Sequence, residues 1–243
     1  MSKDIILRLI GDLGADGATY RALEFTGSTV KNMTVASRTM ANMAIEAGAK
    51  CALFTPDEKT AEYCGIELND FQKSLSGDTD ATYIKTITYR AEDFVPVMAC
   101  PSQVDKIRDV SDLEGTEIDQ VFIGSCTNGR LEDLKAAAEV LKGKKVAKYV
   151  KLIVTPASRK IYRQAIDMGI MDVLAEAGAI ITHPGCGLCC GRTGGILTDG
   201  ERVVATNNRN FLGRMGTSKV EIYLASPKTA AACAVAGKIV KPE

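Results

Sequence analysis

Short apolar runs alternate with amphipathic stretches through the second half of the 243-residue chain. This alternation predicts an α/β fold, in which successive βα units build a mostly parallel sheet with right-handed crossovers. Ligands of such sheets gather beyond the carboxyl ends of the strands. A break in the longest helical stretch is predicted at Gly169. The predicted strands cover residues 119–124, 150–154, 179–182 and 220–224, and the predicted helices cover residues 131–141 and 158–177, before a final Ala-rich helix.

The first half of the chain shows a similar alternation. A helix is predicted over residues 3–13, because four isoleucine and leucine side chains recur there at helical spacing. A second helix is predicted from Thr34, as its N-cap, through Glu46, and a third opens near Pro56. Strands are predicted at residues 20–25 and, as a buried strand, at residues 51–54.

Residues 74–115 are harder to assign to regular structure. They are interrupted by aspartates and prolines and contain two extended pieces, near residues 82–88 and 94–99. We interpret this region as the junction between two domains, which we place at residues 1–90 and 105–243.

Charge and composition argue against nucleic-acid and membrane partners. The 30 basic residues balance the 30 acidic ones, so no net field attracts nucleic acid or an anionic membrane. Aromatic residues make up 5% and Trp is absent, which argues against a base-stacking surface. No apolar run is long enough to span a bilayer, and residues 1–4 lack the features of a signal peptide. We therefore expect a cytoplasmic protein.

Eight cysteines and a single histidine limit the kinds of metal site that the chain can build. The cysteines are too dilute for a disulfide scaffold, and a cytoplasmic chain keeps its thiols reduced. With His183 as the only imidazole, any metal site must be rich in thiolates, which disfavours the mixed Cys/His sites common for zinc.

The first cysteine motif is GSCTN at residues 124–128. It places Cys126 between the end of a predicted strand and the start of a helix, where backbone N–H groups and the helix dipole stabilise a thiolate as a ligand or a nucleophile. A cysteine merely buried in a turn is an equally good interpretation of this motif alone.

The second cysteine motif is HPGCGLCCG at residues 183–191. Its Cys-x-x-Cys pair, Cys186 and Cys189, lies among glycines that let the backbone bend around a metal. A redox dithiol, half of a zinc site and coincidence are alternative interpretations. Together with Cys126, the pair instead suits an iron–sulfur cube that has one iron without a protein ligand.

A third motif is rich in asparagine and arginine and reads NNRNFLGR at residues 207–214. Two guanidinium groups in a polar loop can bind carboxylates bidentately, which lysines do less well. For Arg209 and Arg214 taken in isolation, solvated surface ion pairs would be the simpler interpretation.

The three motifs, in this order, resemble the aconitase superfamily, and in particular the large subunits of 3-isopropylmalate dehydratase and homoaconitase. The resemblance runs from Asp4 to Lys238. It implies aconitase-like iron–sulfur domains with a three-layer α/β/α architecture and mostly parallel sheets. It also implies a hydro-lyase that acts on a small hydroxy acid.

The resemblance implies a role for each motif residue. Cys126, Cys186 and Cys189 would be the three ligands of a [4Fe–4S] cluster. Arg209 and Arg214 would grip the carboxylates of the substrate. The open iron of such a cluster acts as a Lewis acid.

Further roles fall on polar residues near these motifs. Asn208 would lie beside the cluster, and Asn42 and Glu46 would match a cluster-side asparagine and an active-site glutamate. A glutamate near the C-terminal end of a helix opposes the helix dipole, and this local conflict is consistent with a functional residue. Asn42 and Glu46 would then belong to the domain at residues 1–90, and the three cysteines to the domain at residues 105–243.

The implied reaction is the dehydration and rehydration of a malate-type hydroxy di- or tricarboxylic acid. By this resemblance the nearest members are the 3-isopropylmalate dehydratases of leucine biosynthesis. Homoaconitase and the dimethylmalate and citramalate dehydratases remain alternatives, because their substrates share the malate-like core. The sequence does not distinguish these acids from one another.

Two departures from the family pattern bear on activity. Cys190 stands where the family usually has an aliphatic residue, and we interpret it as a packing residue. The family's N-terminal histidines and the base of its swivelling domain, the small subunit of the dehydratases, are not recognisable here. We therefore expect the chain to act with a small subunit and the N-terminal segment, and to be inactive alone. A non-catalytic cluster-binding module and a zinc protein are the alternatives, the latter disfavoured by the long gap between Cys126 and Cys186.

Overall fold

Two β-sheets organise the computed structural model, which describes residues 1–242. The small sheet pairs Ala22–Phe25 (β1) with Cys51–Phe54 (β2) in parallel. The large sheet has seven strands, which are Val97–Ala99 (β3), Ile107–Asp109 (β4), Gln120–Gly124 (β5), Lys151–Thr155 (β6), Ile180–Ile181 (β7), Arg202–Ala205 (β8) and Glu221–Leu224 (β9).

The large sheet is parallel except at one edge. Its spatial order is β4-β3-β9-β8-β5-β6-β7. The strands from β9 to β7 run parallel to one another, whereas β3 is antiparallel to both of its neighbours, β4 and β9. The carboxyl ends of β8, β5, β6 and β7 therefore meet along one edge of the sheet.

Helices cover both faces of the large sheet. The α-helices are Ser2–Leu13 (α1), Ser28–Asn32 (α2), Glu58–Cys64 (α3), Asp70–Lys73 (α4), Ser125–Asn128 (α5), Leu131–Leu141 (α6), Arg159–Asp167 (α7), Ile170–Ala177 (α8) and Pro227–Ala236 (α9). Segments of 3₁₀ helix are Ser37–Ala47, Ala91–Asp93, Val110–Leu113 and Gly187–Cys190.

Alternate side chains of β5 point to opposite faces of the sheet and enter two separate apolar clusters. Val121 and Ile123 pack with α6, α8 and α9 on one face. Phe122 packs on the other face, with α1 and the 3₁₀ helix Ser37–Ala47. The architecture is therefore three-layered α/β with a mostly parallel central sheet, which confirms the predicted fold class.

Most of the helices and strands predicted from the sequence are present. Helix α1 spans Ser2–Leu13, and the predicted break at Gly169 separates α7 from α8, with Gly169 in the left-handed region at a φ of 69°. The segment predicted as a helix from Thr34 is a 3₁₀ helix that begins at Ser37, whose backbone N–H is capped by Thr34 Oγ1 at 3.3 Å.

Three predictions about extended segments were wrong or incomplete. Strand β2 is not buried: it pairs only with β1, and the Leu53 side chain on its open face is 57% exposed. Residues 82–88 form no strand, and the extended piece at residues 94–99 is ordered as a strand only in β3. Strands β4 and β8 and helix α2 were not predicted.

The division into domains at residues 1–90 and 105–243 stays a prediction. Helix α1 packs against β3 and β4 of the large sheet and against the 3₁₀ helix Ser37–Ala47. Among the helices of residues 1–242, none has the length and apolar character needed to cross a membrane.

Candidate functional site

The chain segments that follow three parallel strands carry the sequence motifs to one edge of the large sheet. Cys126 follows β5, Cys186 lies beyond β7, and Asn207 begins two residues after β8. Because parallel strands present their carboxyl ends at the same edge, motifs that are far apart in the sequence become neighbours.

The turn that presents Cys126 needs unusual backbone conformations. Gly124 has a φ of 134°, and a Cβ at this position would lie 2.0 Å from the carbonyl oxygen of Thr155, so only glycine fits. Ser125 also has a positive φ, 68°, which is strained for a residue with a side chain. Cys126 is exposed at this turn, and its Sγ lies 3.6 Å from Thr127 Oγ1.

The Cys-x-x-Cys segment forms a single turn of 3₁₀ helix, Gly187–Cys190, after Cys186. With three residues per turn, Cys186 and Cys189 lie on the same side of this turn, and the backbone N–H of Cys189 donates to the carbonyl of Cys186 at 3.0 Å. Cys190 instead directs its Sγ to the carbonyl oxygen of Gly187, at 3.3 Å. This orientation agrees with Cys190 as a packing residue.

Arg214 contacts the Cys-x-x-Cys segment directly. Its Nε donates to the carbonyl oxygen of Cys189 at 2.7 Å, and its Nη2 lies 4.0 Å from Cys189 Sγ. Gly191 makes this approach possible, because a Cβ at Gly191 would lie 2.2 Å from the carbonyl oxygen of Arg214. A guanidinium group therefore lies next to the sulfur of Cys189.

The 3₁₀ helix Ser37–Ala47 contributes two polar side chains to the same edge. Asn42 Oδ1 accepts hydrogen bonds from Thr127 Oγ1 at 3.0 Å and from Asn208 Nδ2 at 2.7 Å. Glu46 Oε1 accepts a hydrogen bond from Arg209 Nε at 2.8 Å. The second polar atom of Asn208, Oδ1, is buried and has no hydrogen-bond partner among residues 1–242. An unpaired buried amide oxygen is costly, and a bound ligand or water is one explanation for it.

Lys3 is a residue of this edge that the sequence analysis missed. It lies on the buried face of α1 and is only 1% exposed. Its Nζ donates to the carbonyl oxygens of Thr206 and Asn207, at 2.9 and 2.7 Å, and lies 3.2 Å from Met43 Sδ. The missed signal is its position in the helix, because Lys3 precedes the buried Ile6, Leu7 and Ile10 at helical spacing.

Burial shifts the proton affinities of two charged groups behind the site. It lowers the pKa of Lys3 to about 7, although the negative charges of Asp133, Cys189, Glu46 and Cys126 act in the opposite direction. Burial likewise raises the pKa of Asp133 to about 6, although Asn128 donates a hydrogen bond to its carboxylate. The region below the site is therefore poorly solvated.

The structure brings some of the predicted site residues into contact and leaves others apart. Asn42 contacts Asn208, Glu46 contacts Arg209, and Arg214 contacts Cys189. Within residues 1–242, no three His, Cys, Asp or Glu side chains are grouped closely enough to hold a metal ion. The sulfurs of Cys126, Cys186 and Cys189 are therefore not gathered around one point in this structure.

The donor chemistry of the edge nevertheless fits an iron–sulfur cluster. Cys126, Cys186 and Cys189 are free, and each is at least partly accessible. In a cluster each thiolate binds a different iron, so the three sulfurs need not converge on one point. A cavity of about 450 Å³ lies against Cys186 and also adjoins Thr155 and Thr182.

Comparison with known proteins gives consistent matches along the whole chain. Residues 1–114 and 106–237 match the sequence model of the Aconitase family (aconitate hydratase). A 3-isopropylmalate dehydratase large subunit 2 from Archaeoglobus fulgidus is 54% identical over 245 residues, covering 99% of this chain and 58% of the relative.

Two further relatives carry similar names. The 3-isopropylmalate dehydratase large subunit 1 of Methanopyrus kandleri is 50% identical over 242 residues, which are 99% of this chain and 58% of the relative. The large subunit from Heliobacterium modesticaldum is 49% identical over 241 residues, again 99% of this chain and 57% of the relative. The chain thus spans somewhat more than half the length of these curated relatives.

Proposed function

This chain belongs to the aconitase family, and we propose that it is the cluster-binding portion of a 3-isopropylmalate dehydratase large subunit. The observation that carries the proposal is identity of 49–54% to large subunits of that name over 99% of the chain. Membership of this family implies an iron–sulfur cluster. The proposed reaction is the dehydration and rehydration of the hydroxy acid 3-isopropylmalate, in leucine biosynthesis in the cytoplasm.

The proposed cofactor is a [4Fe–4S] cluster held by Cys126, Cys186 and Cys189. Three thiolates leave one iron of the cube without a protein ligand. When bound, the cluster would supply a Lewis acid for the carboxylate and hydroxyl of the substrate. The nearby guanidinium of Arg214, with Nη2 4.0 Å from Cys189 Sγ, would offset part of the negative charge that three thiolates bring.

Arg209 is suited to bind a carboxylate without releasing Glu46. A guanidinium has five N–H donors in a planar fork, and only Nε of Arg209 is used by Glu46. The Arg209 side chain is 40% exposed, and within residues 1–242 its terminal nitrogens make no hydrogen bond, so they can form a bidentate contact with a substrate carboxylate. Arg214 would bind a second carboxylate, and the two would fix the orientation of the carbon skeleton.

Glu46 would handle the proton of the departing hydroxyl. Its side chain is only 6% exposed, and Arg209 fixes the position of Oε1. Oε2 would be the atom that donates a proton to, or hydrogen-bonds, the leaving oxygen, because Oε1 is already engaged. Asn42 and Asn208 would orient the ligand through amide groups, and the unpaired buried Oδ1 of Asn208 offers an acceptor for it.

The partner of the chain would be the small subunit, the swivelling domain of the dehydratases. The relatives are named large subunits. In the proposed assembly, the chain supplies cluster ligands, two arginines and Glu46, while the small subunit supplies the base that removes the carbon-bound proton.

Anaerobic reconstitution with iron and sulfide tests the cofactor. The reconstituted chain should show thiolate-to-iron absorption, and replacement of Cys126, Cys186 or Cys189 by Ala should each abolish it. Cys190→Ala is the matched control, because its thiol is adjacent to Cys189 but turns to Gly187. A cluster that is lost in Cys190→Ala and retained in Cys189→Ala would contradict the ligand assignment.

A turnover assay tests the activity. The reconstituted chain should dehydrate 3-isopropylmalate when two further polypeptides are added. One is the small subunit, and the other is the region of a relative's large subunit to which this chain does not align. Homocitrate, citramalate, dimethylmalate and citrate serve as competing substrates. Preferential turnover of one of these acids would reassign the substrate, and a cluster without turnover in the complete mixture would indicate a non-catalytic binding module.

A further inference from the structure

We propose that Lys3 is a positioning residue of this site, whose buried amino group holds the segment after β8 in place so that Asn208 and Arg209 meet Asn42 and Glu46. The inference rests on the proposed function only for its effect on the cluster. The positioning itself follows from contacts within the chain.

The contacts of Lys3 fall on the two residues that lead into the third motif. Nζ donates to the carbonyl oxygens of Thr206 and Asn207, at 2.9 and 2.7 Å. Asn208 and Arg209 follow directly, and their side chains make the contacts with Asn42 and Glu46. Lys3 therefore fixes the backbone immediately before the two residues whose side chains face the site.

The third contact of Lys3 links α1 to the 3₁₀ helix Ser37–Ala47, which carries Asn42 and Glu46. Nζ lies 3.2 Å from the sulfur of Met43, which is fully buried in the 3₁₀ helix between Asn42 and Glu46. In a 3₁₀ helix, residues three apart lie above one another, so Met43 and Glu46 share a face. One amino group thus contacts both segments whose side chains meet at the site.

A structural role in the core does not by itself explain a lysine at this position. Lys3 is 1% exposed, and among residues 1–242 it forms no ion pair within 4.0 Å. An unpaired buried charge is costly, and an apolar residue would pack there at lower cost. The carbonyl oxygens of Thr206 and Asn207 explain why a hydrogen-bond donor is present at this position. Without Lys3 Nζ they would be buried acceptors that lack a partner.

The charge of Lys3 also acts on the site beyond its hydrogen bonds. Negative charge at Cys189, Glu46 or Cys126 favours the protonated form of Lys3. The attraction is mutual, so the ammonium also stabilises negative charge at these groups. In a protein that holds a cluster on Cys126 and Cys189, this charge would make the cluster easier to reduce.

Lys3→Met tests the proposal, because it keeps most of the length of the side chain and removes both the charge and the donors. In the cluster-free protein, hydrogen exchange of the backbone amides of residues 206–210 should rise at least tenfold. Leu7→Met is the matched control: Leu7 is fully buried one turn further along α1, in apolar surroundings. Leu7→Met should leave exchange in residues 206–210 unchanged.

Should Lys3→Met fail to fold, Lys3→Gln takes its place, because the neutral amide carries no charge and its nitrogen is one atom closer to the backbone than Nζ, so it reaches the two carbonyls less well. The same rise in exchange is expected. Lys3→Arg, which keeps charge and donors, should remain closer to the wild type than either neutral variant. Unchanged exchange in residues 206–210 of a folded neutral variant would overturn the proposal.

A second measurement uses the reconstituted cluster. At pH 6, below the pKa of Lys3, loss of the Lys3 charge should shift the reduction potential of the cluster to a more negative value, whereas Leu7→Met should not move it. A potential that is equal in Lys3→Met and the wild type would overturn the electrostatic part of the proposal. Failure of all variants to assemble a cluster would instead count against the proposed function, while the exchange experiment would still decide the role of Lys3.

Discussion

Arg209 Nε and Glu46 Oε1 lie 2.8 Å apart, with the carboxylate buried and the guanidinium at the surface of the site. The two side chains therefore differ in their access to solvent: the glutamate is shielded, and the arginine can contact an incoming ligand. A buried carboxylate held in this way is fixed in one rotamer, which is a condition for proton transfer at a defined atom.

Glu46→Gln should separate binding from proton transfer. The amide oxygen can still accept the hydrogen bond from Arg209, but the side chain can no longer supply a proton. In the assembled enzyme we expect kcat for 3-isopropylmalate to fall by about 10²–10⁴-fold with a small change in KM. Arg209→Lys should instead raise KM, because the bidentate fork is lost. A Glu46→Gln enzyme with wild-type kcat would exclude Glu46 as the proton donor.

Gly191→Ala should damage the site more than Gly194→Ala. Both glycines have positive φ, 65° and 58°, so either alanine adds backbone strain of about 1 kcal/mol. Only at Gly191 would the new Cβ meet another chain segment, 2.2 Å from the carbonyl oxygen of Arg214; at Gly194 the space is open. Gly191→Ala should therefore lower the free energy of unfolding by a further ~1–3 kcal/mol in urea titrations. Equal losses for the two variants would show that Arg214 can move away freely.

The stability of the cluster-free chain should rise with pH through Lys3. The pKa of Lys3 is about 7 in the fold against an ordinary value of 10.5, so between these values the unfolded chain binds a proton that the folded chain has released. Relative to Lys3→Met, the free energy of unfolding of the wild type should rise by about 2 kcal/mol from pH 7 to pH 9. Lys148→Met, at an exposed lysine, is the control and should follow the wild type. Parallel curves for wild type and Lys3→Met would contradict a depressed pKa.

The cysteines should differ sharply in their reaction with iodoacetamide. Burial raises the pKa of Cys233 to about 12, and its thiol lies inside the core, 3.8 Å from the carbonyl oxygen of Val240. We expect Cys51, Cys64, Cys126 and Cys186, which are exposed, to be alkylated in the native cluster-free chain at pH 8. Cys233 should react only after unfolding, which peptide mass spectrometry can follow. Native-state labelling of Cys233 at the rate of Cys51 would show that α9 opens readily.

The sequence predicted the large sheet well because its signals are local. The apolar runs of β5 and β6 and the left-handed break at Gly169 each depend on a few neighbouring residues. Strand β2 was predicted as buried from the same kind of signal, and this was wrong, because burial depends on what covers a strand and not on its own composition.

The contacts of the site were less accessible from the sequence. The motifs indicated Cys126, Cys189 and Arg214 as site residues, but the role of Arg214 against Cys189 depends on the approach that Gly191 permits. Lys3 was missed, because a lysine at the start of a helix is ordinarily solvated, and only the packing of α1 against the large sheet buries it.

The two hydrogen bonds that Asn42 accepts have a consequence for how the protein matures. Their donors, Thr127 and Asn208, follow it in the chain by 85 and 166 positions. Contacts between such distant segments close late, after the loops between them have been ordered. During synthesis, the Cys-x-x-Cys pair would leave the ribosome before Asn208 and thus before its surroundings exist. We therefore expect a cluster to assemble from iron and sulfide only after the chain has folded completely, because the binding site is not ordered before then.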